Sequence, residues 1–427
     1  MLKSDKRYQD YVAVLHEELV PAMGCTEPIA IAYAAARARH LLGRNPDRVV
    51  VEASNNIIKN VKSVVVPNTG GLRGLEAAAA AGVVAGNADM ALEVLAQVTE
   101  CEQQQIAAFL ASVEIVIAES HSVLVFDLCV NLYAAEEHVR VQISHYHTNI
   151  VLVEKNGEAV YLNRDCDEIE SRNLTERSFM NVRDIVDFAE SVDLDEVREP
   201  LEQQVDFNMA IAYEGLRNSW GANVGSVLID TWGDDVKVQA KALAAAGSDA
   251  RMSGCELPVV IVSGSGNQGI CASVPVIVIA RALSVDQESM LRALVVSNLM
   301  TIHQKTGIGR LSAYCGAVSA GCGAGAGIAW LHGGRFEEVA HALVNGLATV
   351  SGIVCDGAKP SCAAKIAASV DAGLLGYSMY DQGQQFYGGD GIVTKGVENT
   401  LRNIGRLGRD GMRETDREII RIMLGQP

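Results

Sequence analysis

The chain has 427 residues, 49% apolar and 20% charged, and its 35 basic and 52 acidic side chains leave a net charge of −17. That length supports a large buried core, and the composition excludes a disordered, collagen-like or disulfide-scaffold protein. The negative balance excludes nucleic acid and an anionic membrane surface as expected partners, although one local pocket can still oppose the global field for a small anion.

Residues 1–7 lead into a polar amphipathic segment rather than an apolar signal core, which predicts a cytoplasmic protein. Tyr8, Val12, Leu15 and Leu19 mark one apolar helical face ended by Pro21. Gly24-Cys25-Thr26-Glu27-Pro28 then opens an Ala-rich helix over 29–42, with Thr26 as N-cap. Val49–Ala53 reads as a strand, 54–60 as a polar loop, 67–71 as a turn, and 75–98 as a helix broken near Gly86-Asn87. From Val113 to Leu162 the period changes to that of strands, over 123–129, 139–143, 150–153 and 159–162. Asn156-Gly157 is the hairpin turn before the last of these. The charged stretch 164–199 reads as a linker with surface helices, and helices joined by glycine-rich connections dominate from Val205 onward. Uncharged runs at 257–280 and 311–331 are interrupted by glycines and small polar residues, so both read as buried elements and not as membrane spans. The fold class is α+β, mostly helical, with a small antiparallel β-sheet region around residues 113–162. We read 1–427 as one unit, with 205–427 as its helical region.

Ten cysteines in a chain without a signal core point to reduced thiols, and the absence of C-x-x-C argues against thioredoxin-like chemistry and zinc knuckles. Cys355 and Cys362 flank loop chemistry, Asp356-Gly357-Ala358-Lys359-Pro360-Ser361, which can fold two thiolates onto one centre. Cys315 and Cys322, seven apart, are expected on one helix face. With one cysteine of that helix, the loop pair gives three soft ligands, suited to zinc or an iron–sulfur centre; unrelated core cysteines are the alternative. Cys25, at a helix entrance, is either a dipole-stabilised thiolate or a small buried apolar side chain.

Gly264-Ser265-Gly266-Asn267-Gln268-Gly269 follows a strand-like run and fits G-x-G-x-x-G, with Asp286 about 20 residues on, as in a dinucleotide fingerprint. Pro275 and the β-branched run 276–279 argue against the helix that fingerprint needs. A backbone nest for a smaller anion, such as a carboxylate, or a plain tight loop are the other readings. His145 and His147 alternate as on a strand, and Arg251 in Ser248-Asp249-Ala250-Arg251 either holds a substrate carboxylate or makes an ion-paired turn. Lys59 and Lys365 lie in no pyridoxal-phosphate context.

Together these motifs resemble the L-cysteine desulfidase family, which is related to the alpha part of iron–sulfur L-serine dehydratases. The matching pieces are Gly24 to Pro28, Ser54 to Asn60, Val66-Pro67-x-Thr69-Gly70, His147-Thr148-Asn149-Ile150, Ser248 to Met252, Gly264 to Ile270, Leu311-Ser312-Ala313-x-Cys315, and Cys355 to Ala358 with Cys362. They run in order over nearly the whole chain. The resemblance implies a lyase that carries a [4Fe-4S] cluster, uses no pyridoxal phosphate, and acts on a small amino acid. It places the cluster on Cys315, Cys355 and Cys362, makes Cys25 the proton-abstracting base, and leaves Cys322 in the core. His147, Arg251, Ser265, Gly266 and Asn267 are expected to orient the substrate. L-Serine dehydratase activity shares every one of these residues. A nicotinamide (NAD)-dependent enzyme and a non-catalytic amino-acid-binding or iron-sensing protein are the competing classes. The small-residue helices suit a homodimer.

Overall fold

The computed structural model describes residues 1–427 apart from positions 25, 123, 125, 164–173, 310, 311, 426 and 427, and the side chains of 23 and 424. Two hydrophobic cores organise these residues.

The first core belongs to a layer of sheet and helix. After α1 (Lys6–Glu18) and β1 (Pro21–Met23), which lie outside this core, helices α2 (Thr26–Leu42), α3 (Asn55–Val61), α4 (Gly74–Ala85) and α5 (Glu100–Ser112) accompany strands β2 (Arg48–Ala53), β3 (Glu114–Glu119), β4 (Asp127–Ala134), β5 (Glu137–Ser144), β6 (Ile150–Lys155) and β7 (Glu158–Leu162). Six strands form one sheet in the order β3-β2-β4-β5-β6-β7, antiparallel except for the β2–β3 pair. The register sets Val51 beside Val130, Val130 beside Val141 and Val141 beside Val153, a buried apolar row across four strands. Burying each such side chain is worth about 1.5–3 kcal/mol. Alanine dominates α2 and α4 because their backbones nearly touch: a Cβ on Gly82 would stand 2.2 Å from the Ala32 carbonyl oxygen. Asn156 and Gly157 both have positive φ at the β6–β7 turn, as the hairpin motif predicts.

The second core is a helical bundle that also takes in α1, through Tyr8 and Tyr11 against Phe188. It comprises α6 (Val182–Ser191), α7 (Arg198–Arg217), α9 (Val236–Met252), α10 (Gly266–Ala282), α11 (Gln287–Ile308), α12 (Gly316–Leu331), α13 (Phe336–Val350), α14 (Ser361–Asp381) and α15 (Val397–Arg406), with α8 (Val224–Trp232) and α16 (Arg413–Leu424) outside it. At the α12–α14 crossing a Cβ on Gly321 would lie 2.4 Å from the Ser369 backbone, and one on Gly325 would lie 2.5 Å from the Gly373 carbonyl oxygen. These contacts advance in the same direction along both helices, so α12 and α14 run parallel and their N-termini lie side by side. A short strand, β8 (Pro258–Val260), pairs antiparallel with β1 and ties the segment before α2 to the entrance of α10.

Several expectations change. Residues 55–61 form a helix and not a polar loop, since Ile57, Ile58 and Val61 bury at helical spacing. Helix α6 is a core element and not a surface helix, with Val182, Ile185, Val186 and Ala189 inward; the first part of the expected linker, 164–173, lies outside the described residues. Pro275 and Val276–Ile279 sit inside α10, where burial on nearly every side overrides local propensity. Among the described residues no helix is long and apolar enough to cross a membrane.

Candidate functional site

A cavity of about 730 Å³ lies between the two layers. Four helices of eight or more residues point their N-termini at it: its walls include Thr26 and Glu27 of α2, Asn267 and Gln268 of α10, Gly316 and Ala317 of α12, and Cys362 of α14. Each helix start carries roughly +0.5 of an elementary charge and unbonded N–H groups. Lys59, Arg251, Lys305, Arg409 and Arg413 also line the cavity, against Glu27 and Asp416. A chain of net charge −17 thus encloses a site suited to anions.

Cys315, Cys355 and Cys362 share one wall. Cys315 is the N-cap of α12, so it does not share a helix face with Cys322, which is fully buried inside that helix. An antiparallel bridge between Tyr314 and Val354 joins the Cys315 and Cys355 segments; the Cys355 N–H donates to the Ala313 carbonyl at 2.6 Å and the Cys315 N–H to the Ile353 carbonyl at 3.1 Å. Cys362 stands in the first turn of α14, brought beside Cys315 by the glycine crossing. The loop between Cys355 and Cys362 is pinned by Asp356, which accepts from both Lys359 and Lys365. Gly357, at φ +94°, lets that loop approach the Lys59 carbonyl, where a Cβ would come within 2.1 Å.

Burial pushes the Cys315 thiol up to about 12, with the neighbouring Cys355 next in effect, and burial also raises Cys362. Cys315 and Cys362 therefore become thiolates only against positive charge. No three His, Cys, Asp or Glu groups among the described residues are spaced to close on a single metal ion. Three soft sulfurs lining one cavity are nevertheless the donor type that would suit an iron–sulfur centre.

Across the cavity, Arg251 ends α9 and is only 4% exposed. Its Nη2 donates to the Gly24 carbonyl at 2.8 Å and its Nη1 to Asn267 Oδ1 at 3.3 Å. It is not an exposed turn residue, and among the described residues it forms no ion pair, whereas Asp249 accepts from the Ala222 and Val224 N–H groups at the start of α8. Gly266 does not line the cavity itself; a Cβ there would strike the Arg251 guanidinium at 2.3 Å, so glycine makes room for that side chain. Ser263 and Gly264 have positive φ, and Val262 and Ser265 exchange backbone hydrogen bonds across them, a tight turn that delivers Ser265 and Asn267 to the wall.

The structure therefore brings together His147, Arg251, Ser265, Asn267, Cys315, Cys355 and Cys362 around one cavity, with Gly266 behind Arg251. Cys25 lies outside the described residues, between Gly24 and Thr26. His145 and His147 both reach the cavity, but from the β5–β6 connection and not from a strand. That connection is folded back by Asn149 donating to the Ser144 carbonyl at 3.0 Å. The G-x-G-x-x-G segment is not a dinucleotide fingerprint: β8 belongs to a two-stranded antiparallel sheet, and Asp286 caps α11 by accepting from the Ser289 N–H. Lys59 pairs with Asp416 of α16. Sequence reasoning missed Ser263, Gln268, Tyr314 and Asp416 as wall residues. Gln268 was within reach as part of the glycine-rich motif, whereas nothing local marks Asp416.

Known proteins give the same grouping. The family model described as serine dehydratase alpha chain matches residues 89–421. Among similar curated proteins, a UPF0597 protein of Desulfitobacterium hafniense is 59% identical over 426 residues, covering 100% of this chain and 99% of the relative. Others are UPF0597 proteins of Lachnoclostridium phytofermentans, 50% identical over 98% of this chain and 100% of the relative, and of Treponema denticola, 47% identical over 98% of each. The family match spans the strands of the sheet from β3 to β7, the glycine-rich turn and all three cavity cysteines, and the chain belongs to the serine dehydratase alpha chain family.

Proposed function

We propose that this protein is an iron–sulfur-dependent amino-acid lyase that converts L-cysteine to pyruvate, ammonia and sulfide. The observation that carries this reading is the meeting of Cys315, Cys355 and Cys362 with Arg251 around one cavity ringed by helix N-termini. When bound by those three thiolates, a [4Fe-4S] cluster supplies a Lewis-acidic iron with an open coordination position.

The chain's own groups do the rest. The Arg251 guanidinium and the N–H groups at the start of α10 hold the substrate carboxylate, with Asn267 fixing the arginine. His147, set edge-on against Phe126 with ring centres 4.8 Å apart, borders the substrate from the sheet side. Cys25, which precedes Thr26 in the sequence, takes the α-proton as a thiolate. The C–H electron pair becomes the Cα=Cβ bond while the Cβ–S bond breaks and sulfide leaves. The resulting aminoacrylate tautomerises to an imine, which water hydrolyses to pyruvate and ammonia. L-Serine losing water asks for the same groups and is the alternative substrate.

Anaerobic reconstitution with iron and sulfide, followed by pyruvate release from L-cysteine and L-serine in parallel, tests this reading. Iron-dependent pyruvate from L-cysteine is expected. Pyruvate from L-serine alone would reassign the substrate, and a reconstituted protein that releases none from either would overturn the lyase.

A further inference from the structure

Among the described residues, several side chains on the cavity wall carry a buried polar atom without a hydrogen-bond partner, and two of them, Ser263 and Gln268, are themselves almost fully buried and have no role in the chemistry above. Ser263 is 4% exposed with an unbonded Oγ, and Gln268 is 5% exposed with an unbonded Oε1, among the described residues. Buried polar atoms are almost always bonded, so two orphans facing one cavity mark places where a ligand completes the bonding. The fold has made room for both. Ser263 holds a positive φ of 49°, which costs a serine about 1–2 kcal/mol and persists where the surroundings impose it. Gln268 lies against Gly316 at the start of α12, where any Cβ would come within 2.5 Å of its amide carbon. Among the described residues Arg251 Nε and Asn56 Oδ1, also of the cavity walls, are unbonded as well.

Resting on the lyase reading above, we infer that Ser263 and Gln268 complete, with Arg251, a recognition site for both ends of a free α-amino acid. Arg251 and the Ser263 hydroxyl donate to the α-carboxylate, and Gln268 Oε1 accepts from the α-ammonium. A donor pair beside a lone acceptor selects amino acids over the corresponding simple acids, because without the ammonium Oε1 stays buried and unbonded. Gln268 is in this scheme a specificity-determining residue.

Calorimetric binding of L-alanine and of propionate to the full-length reconstituted protein tests this without turnover, since neither ligand has a leaving group. The wild type is expected to bind L-alanine at least about tenfold more tightly than propionate. Gln268→Met, nearly isosteric but without the acceptor, is expected to abolish that preference and leave propionate affinity within about twofold. Gln268→Glu retains the preference. Ser263→Gly, which suits the positive φ, weakens both ligands by a similar factor. A Gln268→Met protein that still prefers L-alanine, or a Ser263→Gly protein with both affinities intact, overturns the inference. If Gln268→Met loses propionate as well, Gln268→Glu decides: a retained preference supports the assignment and a lost one overturns it. Binding of neither ligand to the wild type would instead overturn the amino-acid reading itself, and this inference with it.

Discussion

The two walls of the cavity are built differently. On the bundle side, Cys315 and Cys362 stand at the starts of two helices whose backbones touch through Gly321 and Gly325. On the sheet side, His145, Tyr146 and His147 come from a strand connection held by backbone turns and the Asn149 side chain. Close-packed helices have two well-defined ends and little freedom between them, so the thiol wall is fixed by packing far from the cavity. A connection between strands is held by a few local hydrogen bonds and adjusts more easily. On the proposed lyase reading, the thiols need fixed spacing, whereas the sheet-side groups need only border the substrate.

The largest way to break this contrast is to separate the two helices. A Cβ on Gly373 would come within 2.2 Å of the Gly321 carbonyl oxygen. Gly373→Val is therefore expected to cost about 3 kcal/mol or more and to lower iron retention, although position 373 is remote from the cysteines in sequence. Thermal melting together with iron content checks this, and a variant of unchanged stability that holds its iron would show that the glycine crossing does not set the thiol wall.

A smaller effect sharpens the bundle side through pH. Burial alone would raise Glu398, but the His303 imidazole at 2.9 Å and the Val182 N–H at 2.7 Å hold it below its ordinary 4.5. A carboxylate depressed in the folded state contributes stability that is present above its unfolded value and is lost as pH falls through the folded one. Stability should thus decline as pH drops below about 4.5, and Glu398→Gln should flatten that part of the curve. A Glu398→Gln curve that superimposes on the wild type would remove Glu398 from the account.

The sequence carried the gathering of residues around the cavity further than it carried the element boundaries. Alternating Val residues and Asn156-Gly157 marked the sheet, because a half-buried pleat and a turn with positive φ leave local signatures. The loop between Cys355 and Cys362 was legible for the same reason. Helix α3 and the course of α10 through Pro275 were not, since burial by distant partners overrode a polar run and a helix breaker. The pairing of Lys59 with Asp416 joins residues more than 350 apart, and no local pattern encodes it. Gln268 was visible in the glycine-rich motif, but its orphaned oxygen emerges only once Gly316 is placed against it.

On the proposed reading, Cys315, Cys355 and Cys362 of the cavity, and not Cys322 buried within α12, hold the iron–sulfur centre. Iron and acid-labile sulfide should be measured after anaerobic reconstitution in the wild type, Cys355→Ala and Cys322→Ala. The expected result is a full complement in the wild type and in Cys322→Ala, with loss of both iron and pyruvate formation in Cys355→Ala. A Cys355→Ala protein that keeps its iron and sulfide would contradict the assignment.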